Sequence, residues 1–372
     1  MNIILFYHSL LSDWNHGNAH FLRGYATELE ARGNVVNIYE PENNWSITNL
    51  IADNGRSAIQ EFTWYYPTLK SRTYDPRKPD LDSILKDADL VIVHEWNEHS
   101  LVKAIGEKKK KHGYKLLFHD THHRAVTDKA GIKAYDLKYY DGVLAFGEVI
   151  RDIYINQGWT KSAWTWHEAA DTRIFKPLAE SDVEGDIVWI GNWGDNERAK
   201  ELSDFLIEPV RELKLKAKVY GVRYPAHARK ALANAGIEYC GWLPNYKAPE
   251  VFSRFRFTVH VPRKPYTKAL PGIPTIRPFE AMACGIPLIS APWDDVEGLF
   301  NTGRDYVVAN TKTEMIKQIE RLLSNNGGVS EQTGHALNTI EQRHTCRHRI
   351  DELYNICEQI DVKNFTSQTI SV

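Results

Sequence analysis

Short apolar runs recur along this sequence with helical stretches between most of them, and that alternation leaves few folds open. Residues 2–8, 35–39, 88–94, 114–119 and 142–146 read as strands in the first half, and 186–192, 216–222, 237–240, 255–261, 287–290 and 305–308 in the second. Runs that are apolar throughout, rather than alternating, suit strands covered on both faces, and intervening helices make the sheets parallel. After the first strand, Phe21, Leu22, Tyr25, Ala26 and Leu29 share one helical face, and Gly33 lies just past its end. Residues 41–80, polar, aromatic and Pro-containing, break the rhythm and read as an insertion near the active-site rim. Pro177 and the polar run 178–185 suggest a hinge before the alternation restarts. The predicted architecture is α/β: two Rossmann-like domains facing across a cleft, over residues 1–172 and 173–330. A helical stretch at about 331–361 is expected to pack back on the first.

Length and charge set outer limits. At 372 residues the chain exceeds one ordinary core. The apolar fraction of 42% with 11% aromatics is that of a globular protein, so wholesale disorder is not expected. A formal charge of −2 provides no field for generic nucleic-acid binding. Cys240, Cys284, Cys346 and Cys357 have neither metal-ligand spacing nor disulfide density, which suits reduced thiols and a cytoplasmic protein. The N-terminus lacks a basic region before its apolar run, and no stretch reaches membrane-spanning length.

The chemistry concentrates where strands end. In PGIPTIRPFEAMACGIPLISAP, residues 271–292, Pro278 suits a helix start, and Gly285 with Pro287 stops the helix after about two turns. Arg277 and Glu280 then sit at its start. A diphosphate there would meet the helix N-terminus and a guanidinium, and a carboxylate one turn on could accept from the vicinal hydroxyls of a ribose. The plainer alternative is that Glu280 complements the helix dipole and Arg277 pairs with it. In IVWIGNWGDNERAKEL (187–202) a strand runs into Gly191 and Asn192, and Arg198 and Lys200 open the next helix, a combination that forms a phosphate cradle. KVYGVRYP adds Gly221, which permits close backbone approach, and Arg223. In YCGWLPN the strand end beside Leu243 can read a base edge. Each of these last three is equally compatible with an ordinary βα junction.

Taken in order, GNWGDNER, YGVR, CGWLP and IRPFEAMACGIPLISAP resemble the C-terminal donor domain of GT-B glycosyltransferases. The likeness is greatest to the spore-maturation-type (glycosyl transferases group 1-like) family. It covers roughly residues 186–325 well and the first half loosely. It implies Arg277 and Arg198 on phosphate, Glu280 on ribose and the Leu243 region at the base. Many group 1 retaining enzymes carry another Glu eight residues before the one matching Glu280. Here that position is Gly272, so the stereochemical outcome stays open. An Arg-x-x-Glu arrangement without the earlier Glu is similar to that of phage DNA β-glucosyltransferases.

In the first half, LLFHDTHHRAV (116–126) places Asp120 directly after an apolar strand, beside His122 and His123. A carboxylate or imidazole at a strand's carboxyl end is suitably placed to take a proton from an acceptor hydroxyl. The resemblance favours Asp120 as base, with His122 or His123 as the alternatives. The HDTHH grouping also invites a metal reading, but adjacent imidazoles in one loop converge poorly, so no metal ligand is assigned. VHEWNEH offers His94, Glu95 and Asn97 to an acceptor, or to ordinary helix capping. Gly17 and Asn18, after the first strand, are placed near the transferring sugar, with His20 one turn further on the acceptor side. His167 and Glu168 lie at the hinge, within reach of donor or acceptor. Trp14, Trp96, Trp193, Trp242 and Trp293 fall in or next to predicted cleft loops, where rings can stack on sugars.

The expected function is therefore that of a glycosyltransferase, a hexosyl- or pentosyltransferase moving a sugar from a nucleoside diphosphate sugar, UDP-linked by preference. Neither metal nor other cofactor is expected. The acceptor hydroxyl would belong to a glycan, a small molecule or a modified DNA base. The rival readings are a GT-B sugar-nucleotide epimerase and a catalytically silent module that binds glycan or protein.

Overall fold

The computed structural model describes residues 1–179, 182–324 and 326–365; of the polar run 178–185, residues 180 and 181 lie outside it. The chain divides into two compact units. One comprises Met1–Asp13, Phe21–Glu168 and the chain from Cys346. The other comprises Trp14–His20 and Ala169–Thr345.

The first unit is built on β1 (Asn2–Phe6), β2 (Val35–Pro41), β3 (Ser71–Tyr74), β4 (Leu90–His94), β5 (Lys115–Asp120), β6 (Gly142–Ala145) and β7 (Ala163–Thr165). All pair in parallel, in the order β3-β2-β1-β4-β5-β6-β7. Every residue of β4 is buried, as central parallel strands require, and Leu116, Leu117 and Phe118 of β5 are fully buried. Two strands escaped the apolar-run criterion. β3 is a polar edge strand with only Tyr74 buried, and β7 is three half-buried residues at the other edge. Residues 41–80 are accordingly not an insertion: the helices Trp45–Asn54 and Ser57–Tyr65 form the crossover that delivers β3 to the sheet. Helix α1 (Ala19–Ala31) follows the first strand, with Phe21, Leu22, Tyr25, Ala26 and Leu29 fully buried.

The second unit holds β8 (Gly185–Ile190), β9 (Ala217–Tyr220), β10 (Ile237–Gly241), β11 (Phe255–His260), β12 (Leu288–Ser290) and β13 (Val307–Val308), again all parallel, in the order β10-β9-β8-β11-β12-β13. Its core interdigitates Ile187, Trp189, Val219, Phe257, Val259 and Ile289 from the sheet with Leu202, Leu206, Val210 and Ile319 from the helices. Each large apolar side chain fully buried there contributes about 1.5–3 kcal/mol. In both sheets the chain starts in the middle, winds to one edge, then returns to the middle and winds to the other. That leaves a switch point between β1 and β4, and another between β8 and β11. The expected helix over 331–361 is two. Asn326–Arg343 ends before His344, whose imidazole bonds the Leu299 carbonyl (2.7 Å) within the second unit. Cys346–Gln359 belongs to the first unit, where the Trp166 indole N–H donates to the Arg349 carbonyl at 2.7 Å.

Candidate active site

The switch point of the second sheet is held by Arg198. Its Nη1 donates to the Val261 carbonyl just past β11 (3.1 Å), and its Nη2 to the Asn192 carbonyl just past β8 (2.5 Å). The guanidinium lies over the Trp189 ring, 5.1 Å from its centroid. The strand ends around it are braced. The Tyr224 hydroxyl accepts from the Trp189 indole (3.0 Å) and donates to the Gly191 carbonyl (2.7 Å), and Asn192 Oδ1 accepts from the Val222 N–H (2.9 Å). Gly221 is required where β9 ends, because a Cβ there would lie 2.2 Å from the Gly191 carbonyl oxygen.

Among the described residues no carboxylate pairs with Arg198. Burial, and then the neighbouring guanidinium of Arg263, pull its pKa well below the ordinary value, with Arg277 adding to the effect. Arg263 itself is shared with Glu197 (3.3 Å). Arg198 is half-buried, no carboxylate among the described residues hydrogen-bonds to it, and two further cations act on it, an arrangement that suits an anion.

Helix α2 (Ile276–Ala283) begins after Thr275 and has no side-chain cap on its first N–H groups. Thr275 is at φ 61°, a left-handed conformation costly for a β-branched residue and typical of strained ligand loops. At the far end Gly285, at φ 69°, closes a Schellman turn: its N–H reaches the Met282 carbonyl (3.1 Å) and that of Ile286 reaches Ala281 (3.3 Å). Arg277 pairs with Oε2 of Glu280, which is fully buried. Oε1 of Glu280 accepts from Nδ1 of His20 at 2.9 Å.

The remaining donor-side residues are distributed unevenly. Lys200 is exposed and pairs with Asp204. Arg223 is exposed, at φ 60°, and Leu243 is half-buried just past β10. Gly17 is exposed, and a Cβ there would make ordinary contact with Ile276 of α2 (3.7 Å). Asn18, half-buried, follows it. Two participants were missed by the sequence reading. Asn15 accepts from the Asn192 amide (2.5 Å), and Arg263 lies three residues past the end of β11. The signal for Arg263 was present, a basic residue two positions past the apolar run 255–261; Asn15 carried none.

In the first unit the same logic brings together the ends of β1, β4 and β5. Asn97 is a staple, its amide donating to the Phe6 and His94 carbonyls (2.9 and 2.8 Å). His94 is buried, bonded to the Thr121 hydroxyl (3.0 Å) and stacked on His8. Glu95 is buried against Arg124. Asp120 is fully buried, with Oδ1 accepting from the His122 N–H (3.0 Å) and Oδ2 from the Tyr154 hydroxyl (2.8 Å). Burial raises the pKa of both carboxyls, and the Asp120 charge adds to the rise at Glu95. Asp120 thus has the surroundings of a loop-holding group. His122 is half-buried, packed edge-on against Trp96 (5.0 Å). Trp96 is 41% exposed, whereas Trp14, Trp193 and Trp293 are buried. His123 is buried and bonds the Thr127 hydroxyl (2.8 Å). His167 bonds the Phe146 carbonyl (3.2 Å), and Glu168 is buried beside it in sequence. Among the described residues no group of three or more His, Cys, Asp or Glu is arranged to hold a metal ion, and no helix is long and apolar enough to cross a membrane.

Comparison with known proteins agrees with this geometry. Residues 198–355 match the model of a family described as glycosyl transferase-like. No curated protein matches the chain. Among solved structures, Anabaena Alr3699/HepE, in complex with UDP and glucose, superposes with a TM-score of 0.68 at 13% identity over 96% of this chain and 99% of that one. An α-glucosyltransferase in complex with UDP and a 13-mer DNA gives 0.70 at 12% identity, over 96% and 100%. Sucrose-phosphate synthase from Thermosynechococcus elongatus gives 0.64 at 13%, over 97% and 99%. The DNA-bound neighbour is an α-enzyme, where the sequence had suggested likeness to β-glucosyltransferases. Residues 198–355 thus resemble a glycosyl transferase-like family, and the chain has the fold of the GT-B glycosyltransferases.

Proposed function

We propose that this protein transfers a glycosyl group from a UDP-sugar, held by the second unit, to an acceptor hydroxyl bound at the strand ends of the first. The observation that carries the reading is Arg198, a guanidinium at the switch point with no carboxylate partner among the described residues, in the same unit as an uncapped helix N-terminus. As the bond from the anomeric carbon to the β-phosphate oxygen lengthens, negative charge builds on the diphosphate. Arg198, Arg277 and the first N–H groups of α2 stabilise that charge, which lowers the barrier without a divalent ion. Glu280, fully buried with its oxygens on His20 and Arg277, holds Arg277 in place, the plainer of the two readings of that pair, and the loop after β10 at Leu243 faces the base.

On the acceptor side we assign the proton to His122 in preference to Asp120, because both Asp120 oxygens are already engaged and buried. Trp96, exposed beside His122, supplies an aromatic face for a sugar or other ring. Free cysteines throughout favour a reducing, cytoplasmic setting. The test is release of UDP from a panel of UDP-sugars, with and without candidate acceptors that include glycans and DNA carrying hydroxymethylated bases. Release strictly dependent on one acceptor class is expected. Interconversion of the UDP-sugars with no acceptor present would replace this reading with an epimerase.

A further inference from the structure

The second unit has a further concave polar surface, at the other end of its sheet from Arg198. A groove opens between the turn ahead of β13, the helix Lys312–Ser324 and the first turns of the helix Asn326–Arg343. Val307, the first residue of β13, and Leu322 give it apolar walls. Gln332 places it on the sheet. Its side-chain nitrogen donates to the carbonyl of Leu288, the first residue of β12 (2.9 Å), and to that of Asp305 (3.4 Å). The groove thus lies at the amino ends of β12 and β13, whereas the carbonyls of Asn192 and Val261, which hold Arg198, follow the carboxyl ends of β8 and β11.

Its polar lining is unevenly satisfied. Arg304 and Arg321 both line the groove and are exposed, and neither guanidinium has a hydrogen bond or ion pair among the described residues. Arg304 stands on a turn closed on itself: the Gly303 N–H reaches the Tyr306 carbonyl (2.7 Å) and the Arg304 N–H the Asn301 carbonyl (3.0 Å). The backbone that presents it is therefore set before a ligand arrives. With both amide hydrogens of Gln332 engaged, its oxygen remains an acceptor, and Glu331, 3.9 Å from the His335 imidazole, adds a carboxylate. Two guanidinium forks can share the three terminal oxygens of a phosphate, whereas one fork already satisfies a carboxylate. Glu331 disfavours a bare anion by like charge and favours one that brings hydroxyls to donate. We propose that this groove is a second ligand site, separate from the donor site, for a phosphate monoester of a small polyol. Arg304 and Arg321 hold the phosphate, and Glu331 and Gln332 accept from the hydroxyls.

The experiment is calorimetric titration of glycerol phosphate, ethyl phosphate and inorganic phosphate into the full chain, with and without saturating UDP, and into the variants Arg304→Gln, Arg321→Gln, Glu331→Ala and Arg198→Met. One glycerol phosphate per chain is expected, with a Kd that neither UDP nor Arg198→Met alters. Arg304→Gln and Arg321→Gln should each weaken it about tenfold, the scale of one hydrogen bond to a charged group. Ethyl phosphate lacks the hydroxyls and should bind about tenfold more weakly than glycerol phosphate, a gap that Glu331→Ala should narrow to about twofold. No binding of any of the three, or binding unchanged in both arginine variants, overturns the site. Competition by UDP, or loss in Arg198→Met, assigns the phosphate to the donor site and overturns it equally. Equal affinity for the three phosphates makes the groove an anion trap and overturns the polyol assignment. If UDP itself does not bind, the glycosyl-transfer reading falls, and the titrations without UDP still decide the groove.

Discussion

Replacing Arg198 by Met separates what this residue does for the fold from what it does for the ligand. Met keeps an unbranched apolar stem that can lie over Trp189 and loses the charge. Two hydrogen bonds from a cation to carbonyls disappear, which leaves the Asn192 and Val261 oxygens short of a partner at about 1–3 kcal/mol each. Against that, the desolvation cost of a half-buried guanidinium, about a few kcal/mol, is relieved, and among the described residues no hydrogen-bonded carboxylate is orphaned by the change. The two contributions nearly cancel. We expect the unliganded variant to melt within roughly 2–4 °C of wild type, the shift that about 1 kcal/mol produces in a unit of this size. Binding should behave differently. Loss of a charge-assisted bond to phosphate, about 1.5–3 kcal/mol, weakens UDP roughly ten- to a hundredfold. At a UDP concentration about 100 times the wild-type Kd, wild type gains roughly 2.7 kcal/mol of stability. A variant about thirtyfold weaker gains under about 1 kcal/mol. Differential scanning calorimetry with and without UDP measures both quantities in one series. Unchanged UDP stabilisation, or loss of more than about 4 kcal/mol without ligand, would refute the idea that this cation is held ready for an anion.

The other predictions follow from the same geometry. His122→Gln should lower kcat about 10²–10⁴-fold with donor affinity kept, whereas Asp120→Asn should stay within about tenfold of wild type; the reverse ranking in acceptor-dependent UDP release would return the base to Asp120. Glu95 and Asp120 have raised pKa values, so the folded state keeps protons that the unfolded chain has released. Stability from these groups is present below the ordinary carboxylate range and is lost as pH rises toward neutrality. The melting temperature should therefore fall between about pH 5 and 8, and Glu95→Gln should flatten that slope. Turnover should survive EDTA; loss of activity restored by Mg²⁺ or Mn²⁺ would overturn the assignment of leaving-group stabilisation to Arg198, Arg277 and α2. Thr275→Gly, at a position where φ is 61°, should raise stability by about 1 kcal/mol or more in thermal unfolding, and a loss would show that the threonine side chain is what holds the loop.

The central strands were legible because burial on both faces demands apolar residues throughout, as in β4 and β5. The edges were not, because β3 shows water two of its four side chains and β7 none that is buried. Likewise Arg277, Glu280 and Gly285 could be read from one short segment, since a helix start, a turn of spacing and a Schellman stop are all local. Arg198 was legible as a basic residue after a glycine turn, but that its hydrogen bonds go to carbonyls and not to a carboxylate was not. His20 was misassigned because its partners, Asp171 and Glu280, are 151 and 260 residues away in sequence. Asp120 looked catalytic because a strand-end carboxylate has the same sequence signature whether it faces substrate or, as here, Tyr154.

The second unit takes its residues from two separate stretches of chain, Trp14–His20 and Ala169–Thr345. The stretch that resembles the glycosyl transferase-like family, 198–355, therefore does not coincide with either compact unit. It starts after β8, omits the heptapeptide that carries His20, and ends inside the Cys346–Gln359 helix of the other unit. Recombination between relatives at a single crossover near residue 169 would bring in a foreign Glu280 while leaving the recipient's own Trp14–His20 to receive it. Chimeras meant to exchange donor preference should need both stretches transplanted together, and the same linkage ties the inheritance of an N-terminal heptapeptide to that of a helix more than two hundred and fifty residues downstream.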